Sequence, residues 1–192
     1  RFDRLLADGF SRLRNRVRDK PCTYVHRNSG VPLVGSNEFG VVDRGSNILE
    51  VKPLTGCNLS CTFCSVSEGA NDKRDVVVEL EYLLDSFKGL ASLKSHGVEA
   101  NIGPQGEPLL YPKLVSLVRG LKEAGAAVVS MNSNGTLLTE GLVDDLAAAG
   151  LDRINLSLHS LDQSLVDEIM GGHQDVERLK RIVRYCAGKV DV

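Results

Sequence analysis

The chain contains 192 residues, of which 42% are hydrophobic and 25% are charged, and its formal net charge is -2. This composition is typical of a soluble intracellular protein with one compact domain and a sizeable core. The sequence has no apolar run long enough to span a bilayer, no secretion signal and no internal repeat. We therefore expect neither a membrane-spanning protein nor a secreted one, and no repeat architecture.

The first 20 residues are the most basic part of the chain, with seven arginines or lysines against three aspartates. Such a segment could contact nucleic acid. However, its larger apolar residues recur at near-helical spacing, at Phe2, Leu5, Leu6, Phe10, Leu13 and Val17. This periodicity favours an amphipathic helix whose arginines face water.

Residues 21–47 give a weaker signal than the segments on either side. They are rich in glycine and contain Cys22, His26 and Glu38. We expect them either to cover one mouth of the fold that follows or to form a small hairpin. The sequence thus divides into an N-terminal helix and extension over residues 1–47 and a core over residues 48–192.

From residue 48 onward, short strand-like runs alternate with amphipathic helical runs. The predicted strands are 48–54, 98–103, 127–132 and 153–159, and the predicted helices lie near 76–95, 111–124, 139–149 and 174–187. This alternation predicts parallel strands joined by right-handed helical crossovers. A glycine suited to a left-handed cap follows each predicted helix, at Gly97, Gly125, Gly150 and Gly188.

Each predicted strand has one polar face, because alternate strand residues point to opposite sides. The polar residues that share a face within their strands are Glu50 and Lys52, Glu99 and Asn101, Ser130 and Asn132, and Asn155, Ser157 and His159. A closed eight-stranded barrel fills its interior with bulky branched side chains. The polar faces therefore predict an open barrel with a wet lumen.

Three cysteines follow the first predicted strand at a C-x3-C-x2-C spacing, namely Cys57, Cys61 and Cys64. Three thiolates can hold three corners of a cubane 4Fe–4S cluster, which leaves the fourth iron open. A structural zinc site is the first alternative, but zinc needs four ligands, and Cys22, Cys186 and the four histidines are scattered far from one another in sequence. A disulfide is the least favoured interpretation, and a set of free thiols implies a reducing compartment.

The other three predicted strands also end in motifs that suit a site, at the carboxyl edge where β/α folds carry their chemistry. The motifs are Gly-Pro-Gln-Gly-Glu-Pro at 103–108, Asn-Ser-Asn-Gly-Thr at 132–136 and Asn-Leu-Ser-Leu-His-Ser at 155–160. Taken singly, each can be an ordinary turn or helix cap. Asn-Gly is a common turn pair, and Thr139 can cap the next helix. Their occurrence at successive strand ends predicts one shared site.

On these residues the chain resembles the radical SAM superfamily, whose signature is the same cysteine spacing with an aromatic residue, here Phe63, before the third cysteine. The resemblance covers about residues 48–192 and implies a partial β/α barrel of about six units. Four units are readable, and residues 189–192 look like the start of a fifth strand, so we expect a truncated barrel. The sequence is most similar to uncharacterised members called Fe-S oxidoreductases, and more distantly to the molybdopterin-precursor synthase and peptide-modifying branches.

The resemblance also implies two cofactors. Cys57, Cys61 and Cys64 would bind a 4Fe–4S cluster, and S-adenosylmethionine would chelate its open iron. Matching motif positions assign the second cofactor to Phe63, Gln105, Gly106, Glu107, Asn134 and Ser157.

Within that set, Glu107 would receive the methionyl ammonium, and Ser157 would contact the methionyl or ribose part. Two positions depart from the family pattern, since Gln105 replaces the first motif glycine and His159 stands where aspartate is frequent. No catalytic residue is assigned. His159 is a candidate substrate or proton-transfer residue because histidine changes charge near neutral pH.

The implied activity is reductive cleavage of S-adenosylmethionine to a 5'-deoxyadenosyl radical, which abstracts hydrogen from an unknown substrate. This activity requires a low-potential electron donor as a partner. A cytoplasmic location suits this activity. Three alternatives stay open. A noncatalytic nucleic-acid-binding module with a zinc or iron–sulfur knot predicts a fourth protein ligand and salt-sensitive affinity, and an electron relay predicts a cluster without cofactor cleavage. A methyltransferase that also uses the radical predicts S-adenosylhomocysteine among the products.

Overall fold

The structure is a computed structural model that describes residues 2–15, 19–66 and 74–192. The α-helices in these ranges are α1 Phe2–Ser11, α2 Leu80–Ala91, α3 Leu114–Glu123, α4 Glu140–Ala149, α5 Gln163–Met170 and α6 Val176–Cys186. The strands are β1 Cys22–Val25, β2 Gly40–Asp43, β3 Ile48–Lys52, β4 Asp75–Val78, β5 Val98–Ile102, β6 Ala126–Ser133 and β7 Arg153–Leu156. Val17, the last residue of the predicted N-terminal helical pattern, lies outside the described residues.

The main sheet contains five strands in the order β2-β3-β5-β6-β7. Strands β3, β5, β6 and β7 are parallel, and β2 pairs with β3 in antiparallel orientation at the edge. Strands β1 and β4 form a separate parallel pair. In the described ranges the sheet stays open, which confirms the predicted partial β/α barrel with four parallel strands.

The segment before α2 differs from the prediction. The sequence pattern predicts a helix near 76–95, but Asp75–Val78 forms strand β4 and the helix begins at Leu80. The three valines at 76–78 have branched side chains that favour strands. They pair with β1, and this long-range contact is invisible to a helical pattern.

Helix α5 is absent from the predicted elements, and the fourth strand ends at Leu156 rather than at residue 159. The side chain of Asp162 caps α5 by accepting a hydrogen bond from Leu165 N at 3.0 Å. Gly171 ends the helix with a φ of 59°. As a result, Ser157 and His159 lie in the loop between β7 and α5 and not within the strand.

Three of the four predicted glycine caps have a positive φ, at Gly125, Gly150 and Gly188. The cap predicted at Gly97 is wrong, because α2 ends at Ala91 with Ser92 as its cap and Gly97 has no positive φ. Beyond α6, Asp191 makes a parallel bridge to Arg153, in the direction of the predicted fifth strand.

The N-terminal segments contribute more structure than the sequence indicates. The predicted N-terminal helix is confirmed over Phe2–Ser11, and Leu13 of the predicted pattern lies beyond its end. Its apolar side chains are open to solvent, since Leu5 is 65% exposed and Phe10 is only partly covered by its stacking against Tyr24 and His26. Residues 21–47 supply β1 and β2, and β2 forms a hairpin with β3. Within the described ranges, no helix combines the length and apolar character needed to cross a membrane.

In the part of the chain that the structure describes, the buried apolar residues form two clusters. The main core lies between the apolar face of the sheet and the helices, and includes Leu49, Ile102, Leu117, Met131 and Leu146. A separate satellite cluster contains Leu59, Val166, Met170 and Val176, with Cys57, Cys61 and Leu158 packed against it. The satellite cluster is the apolar support of the cysteine loop.

The opposite face of the sheet carries the predicted polar residues, which bond to one another across the strands. Asn101 Nδ2 donates to Ser130 Oγ at 2.8 Å, and Asn155 Nδ2 donates to Asn132 Oδ1 at 2.7 Å. Arg153 and Glu99 form an ion pair on the same face. These contacts confirm that the polar side chains of neighbouring strands share the lumen face.

Candidate active site

A cavity of about 240 Å³ lies at the carboxyl ends of the four parallel strands. Its walls come from the segments that follow or end β3, β5, β6 and β7, and from the end of α5. The predicted site residues in its lining are Cys57, Cys61, Phe63, Cys64, Gly106, Glu107, Asn134 and Ser157. Gln105 and His159 lie outside the lining, whereas Met170, which the sequence patterns do not single out, lies within it.

The cysteine loop is held against the C-terminal end of α5. Ser60 N donates to the carbonyl of Met170 at 3.2 Å, and Thr62 N donates to the carbonyl of Ile169 at 2.9 Å. A Cβ atom at Gly171 would overlap the carbonyl oxygen of Ser60, so only glycine allows this approach. The position of the thiols therefore depends on α5, the helix that sequence patterns do not reveal.

Burial governs the protonation of two of the thiols. It raises the pKa of Cys57 to about 11, and it also raises the pKa of Cys61. Both thiols are therefore protonated at neutral pH without a metal, and metal binding would release those protons. All five cysteines lie in the described ranges and none forms a disulfide, so the disulfide interpretation is wrong for this structure.

The number of thiols in the cavity suits a cluster with one open iron. Zinc–sulfur bonds of about 2.3 Å bring tetrahedral sulfur ligands to within about 3.8 Å of one another. Among the described residues, no group of three or more His, Cys, Asp or Glu side chains is placed to hold one metal ion. In a cubane each thiolate binds a different iron, and all three thiols line the same cavity.

Glu107 is the buried carboxylate of the site, with 1% of its surface exposed. Its Oε1 accepts hydrogen bonds from Ser133 Oγ at 2.8 Å and Leu109 N at 3.0 Å, and its Oε2 accepts one from Asn134 N at 2.8 Å. Burial raises the pKa of Glu107, and the hydrogen bonds oppose that rise. The carboxylate thus connects the loops after β5 and β6, in a position where a cation in the cavity would favour its charged form.

The Gly106 segment packs directly on the start of the cysteine loop. Gly106 has a φ of 70°, and a Cβ there would lie 2.8 Å from the carbonyl oxygen of Leu54 and 2.9 Å from that of Gly56. Glu107 N donates to the same Gly56 oxygen at 2.8 Å. Next to it, Gln105 Oε1 is buried and accepts no hydrogen bond within the described part of the chain. Gly106 is therefore required by both its backbone angle and its closeness to the loop.

Asn134 shapes the turn after β6 and also reaches the cysteine loop. Its Oδ1 accepts hydrogen bonds from Thr136 N at 3.0 Å and from Thr136 Oγ1 at 2.7 Å. Its Nδ2 donates to Asn58 Oδ1 at 2.9 Å and lies 4.0 Å from Cys57 Sγ. Asn134 therefore both forms the turn and lines the cavity, and its role toward a cofactor stays a prediction.

The loop after β7 closes the last side of the cavity. Ser157 N donates to the carbonyl of Ser133 at 2.9 Å, which fixes the loop to the end of β6. Phe63, 53% exposed, contacts the ring of His159, with 4.4 Å between the ring centroids. His159 thus contacts Phe63 and does not belong to the lining of the cavity.

The fold and the site together define a class of protein. The family model of the radical SAM superfamily matches residues 51–192, and the chain belongs to that superfamily. Membership confirms the predicted enzyme class and its two cofactors, a 4Fe–4S cluster and S-adenosylmethionine.

Curated relatives come from several archaea. An uncharacterized protein of Methanocaldococcus jannaschii is 40% identical over 182 residues, which cover 90% of this chain and 41% of the relative. Proteins named Probable GTP 3',8-cyclase from Sulfurisphaera tokodaii and Saccharolobus solfataricus are 37% and 36% identical, over 66% and 79% of this chain and 37% and 47% of the relatives. The chain thus spans less than half the length of these relatives, and the predicted similarity to the molybdopterin-precursor branch is confirmed.

Solved structures with the same fold support this assignment. SuiB of Streptococcus suis bound to precursor peptide SuiA has a TM-score of 0.58 at 26% identity, over 79% of this chain and 32% of SuiB. The protein anSMEcpe with bound AdoMet has a TM-score of 0.59 at 19% identity, over 75% of this chain and 41% of anSMEcpe. At 19% identity the second likeness concerns the fold alone.

Proposed function

We propose that this chain binds a 4Fe–4S cluster through Cys57, Cys61 and Cys64, and S-adenosylmethionine at the open iron, and that it initiates radical chemistry by reductive cleavage of that cofactor. The observation that carries the proposal is the single cavity shared by the three thiols and Glu107. A cluster used only for electron relay, or a structural zinc knot, would have no use for a buried carboxylate facing the thiols.

Glu107 is the proposed acceptor for the methionyl ammonium. Its three hydrogen-bond donors leave part of its capacity free, because an ionised carboxylate offers about four lone-pair sites. A cation at the remaining site would offset the burial that raises the pKa of Glu107. The same interaction would be a charge-assisted hydrogen bond, which is stronger than a neutral one.

The other proposed contacts follow from the lining of the cavity. Gly106 and Asn134 would bring backbone close to the cofactor, and Ser157 would offer its hydroxyl to the methionyl or ribose part. The ring of Phe63 would shield the third cysteine and the cofactor from water. Gln105 is absent from the cavity lining, and its role toward the cofactor stays a prediction from its position in the motif.

When bound, a reduced cluster supplies the electron that cleaves S-adenosylmethionine to methionine and a 5'-deoxyadenosyl radical, which abstracts hydrogen from a substrate. The residues of the chain bind and orient the cofactor and exclude water from the cavity. A low-potential electron donor is a required partner. We place the protein in the cytoplasm because the thiols must stay reduced to bind iron.

The substrate stays unassigned. The relatives named as GTP 3',8-cyclases are matched over less than half of their length, so their substrate is not transferred to this chain. His159 is proposed only as a substrate or proton-transfer candidate. The domain division at 47/48 also stays a prediction, with β2 of the extension pairing to β3 of the core.

The proposal is tested by anaerobic reconstitution of the full-length protein with iron and sulfide, reduction with dithionite in the presence of S-adenosylmethionine, and chromatography. We expect 5'-deoxyadenosine from the wild-type protein and none from Cys61→Ser. S-adenosylhomocysteine among the products would favour a methyltransferase. An intact cluster that yields no 5'-deoxyadenosine, and whose electron paramagnetic resonance (EPR) spectrum ignores the cofactor, would contradict the proposal and favour the relay.

A further inference from the structure

The turn between α5 and α6 contacts both the cysteine loop and the strand ends. At its start, Gly171 packs against the backbone of Ser60 in the cysteine loop. At its end, Gln174 is completely buried, with 0% of its surface exposed. A fully buried glutamine is unusual because its amide must find hydrogen-bond partners away from water.

The side chain of Gln174 donates to the backbone of two proposed cofactor-binding residues. Its Nε2 donates to the carbonyl of Asn134 at 2.6 Å and to the carbonyl of Ser157 at 2.8 Å. Its Oε1 is buried and accepts no hydrogen bond within the described part of the chain. The amide therefore acts through its two N–H donors, one for the loop after β6 and one for the loop after β7.

Both backbone polar groups of Asn134 form hydrogen bonds to buried side chains. Its N–H donates to Glu107 at 2.8 Å, and its carbonyl accepts from Gln174. Since its side chain also contacts Asn58 of the cysteine loop, a shift of this one residue would alter three walls of the cavity. Glu107 therefore holds the N–H of Asn134, and Gln174 holds its carbonyl.

Gln174 is itself held by contacts within the helix–turn–helix. Its N–H donates to Asp167 Oδ1 at 3.3 Å, and its carbonyl accepts from Gln163 Nε2 at 3.0 Å. Gln163 Oε1 in turn accepts from Val176 N at 3.0 Å. These bonds order the turn before any cofactor is present.

We propose that Gln174 is a positioning residue for cofactor binding, which holds the loops bearing Asn134 and Ser157 in the arrangement that receives S-adenosylmethionine. This inference rests on the proposed function. Replacing the amide by an apolar group of the same length would leave two buried carbonyls without their donors, and the loops would move to satisfy them. The cysteine loop is also held by the bonds of Ser60 and Thr62 to the end of α5, so the thiols would still be placed to load iron.

The test compares Gln174→Met with Gln163→Met in the full-length protein. Both changes remove a glutamine amide from the same helix–turn–helix and keep an unbranched side chain, but only Gln174 contacts the strand-end loops. Each protein is reconstituted anaerobically, its iron and sulfide are measured, and the EPR spectrum of the reduced cluster is titrated with S-adenosylmethionine. Samples are frozen immediately after mixing, so that these readouts report assembly and binding and do not depend on product formation.

We expect Gln174→Met to load iron like the wild type but to need about tenfold more S-adenosylmethionine for the half-maximal spectral change. Gln163→Met removes one bond to the Gln174 backbone and one to Val176 but leaves both Gln174 donors in place. Its shift should therefore be smaller, within about twofold of the wild type. The inference would be overturned if Gln174→Met reached its half-maximal spectral change within about twofold of the wild-type S-adenosylmethionine concentration. It would also be overturned if both variants shifted that concentration equally.

A second variant guards against misfolding. If Gln174→Met does not fold, Gln174→Leu is titrated in the same way, because leucine has a shorter apolar side chain and also lacks both N–H donors; the same shift is expected and the same result would overturn the inference. A wild-type cluster whose spectrum does not respond to S-adenosylmethionine would contradict the proposed function, and the inference with it. That outcome is recognised before any variant is compared.

Discussion

The main core and the cysteine loop are held in place by different kinds of contact. The main core is a continuous apolar layer between the sheet and the helices, with residues such as Leu49 and Leu117 fully buried. The cysteine loop rests on the four-residue satellite cluster and on a few backbone bonds to Met170 and its neighbour. Most of the free energy of folding should therefore come from the main core, whereas the geometry of the site depends on a small number of contacts.

The largest expected effect is a loss of cluster assembly in a protein that still folds. Cys61→Ser should abolish cluster assembly, because a three-thiol site has no spare ligand, while the far-ultraviolet circular dichroism spectrum stays close to that of the wild type. Iron content after reconstitution is the measurement. Cys22→Ser, which changes a buried cysteine of β1 far along the chain, is the control and should load iron normally. A full iron load in Cys61→Ser would show that the ligand assignment is wrong.

A pair of leucine truncations compares the two clusters directly. Leu117→Ala in the main core should lower the free energy of unfolding by about 2–5 kcal/mol, because it leaves a cavity in a close-packed layer. Leu59→Ala in the satellite cluster should cost less, since fewer apolar neighbours surround it, but it should release iron faster from the reconstituted protein. Urea denaturation and the rate of iron loss to a chelator provide the two measurements. Equal losses of stability in both variants would remove the distinction between the clusters.

Gly106→Ala tests the close approach of two loops inside the site. The new methyl group would press on backbone oxygens of the cysteine loop, and the φ of 70° is strained for alanine. We expect weaker S-adenosylmethionine binding and a loss of stability of about 1–3 kcal/mol. Gly141→Ala, in α4 with open space around it, is the matched control and should be neutral or stabilising by up to about 1 kcal/mol. Unchanged cofactor binding in Gly106→Ala would show that the contact is dispensable.

The smallest expected effect is a pH dependence in the α5–α6 turn. The hydrogen bond from His173 holds the pKa of Asp167 below its ordinary value of 3.8, with help from Gln174 and Gln163. The folded state therefore binds fewer protons than the unfolded state, so this stabilisation is present above about pH 4 and is lost as the pH falls through the lowered pKa. Asp167→Asn should lower the urea midpoint slightly at pH 7 and not at all in strong acid. A constant difference across pH would contradict this assignment.

The sequence reveals the parts of the site that depend on local pattern. The strand ends and the motifs around Cys57, Glu107 and Asn134 fall where the alternation of strands and helices predicts, because parallel strands bring successive carboxyl ends to one edge. Strand β4 and helix α5 are not revealed, since β4 exists through pairing with β1 and α5 is only one short capped segment. Gln174 shows no pattern at all, because its role comes from burial against two loops that are distant in sequence.

The most direct test of the account is Mössbauer spectroscopy of the full-length protein reconstituted with iron-57, recorded with and without S-adenosylmethionine. Three protein thiolates leave one of the four irons open, and we propose that S-adenosylmethionine binds that iron beside Glu107, which lines the same cavity. The account predicts that the signal of one iron changes when the cofactor is added, while the other three keep theirs. Four irons that all ignore the cofactor, or the spectrum of a single tetrahedral iron, would contradict it.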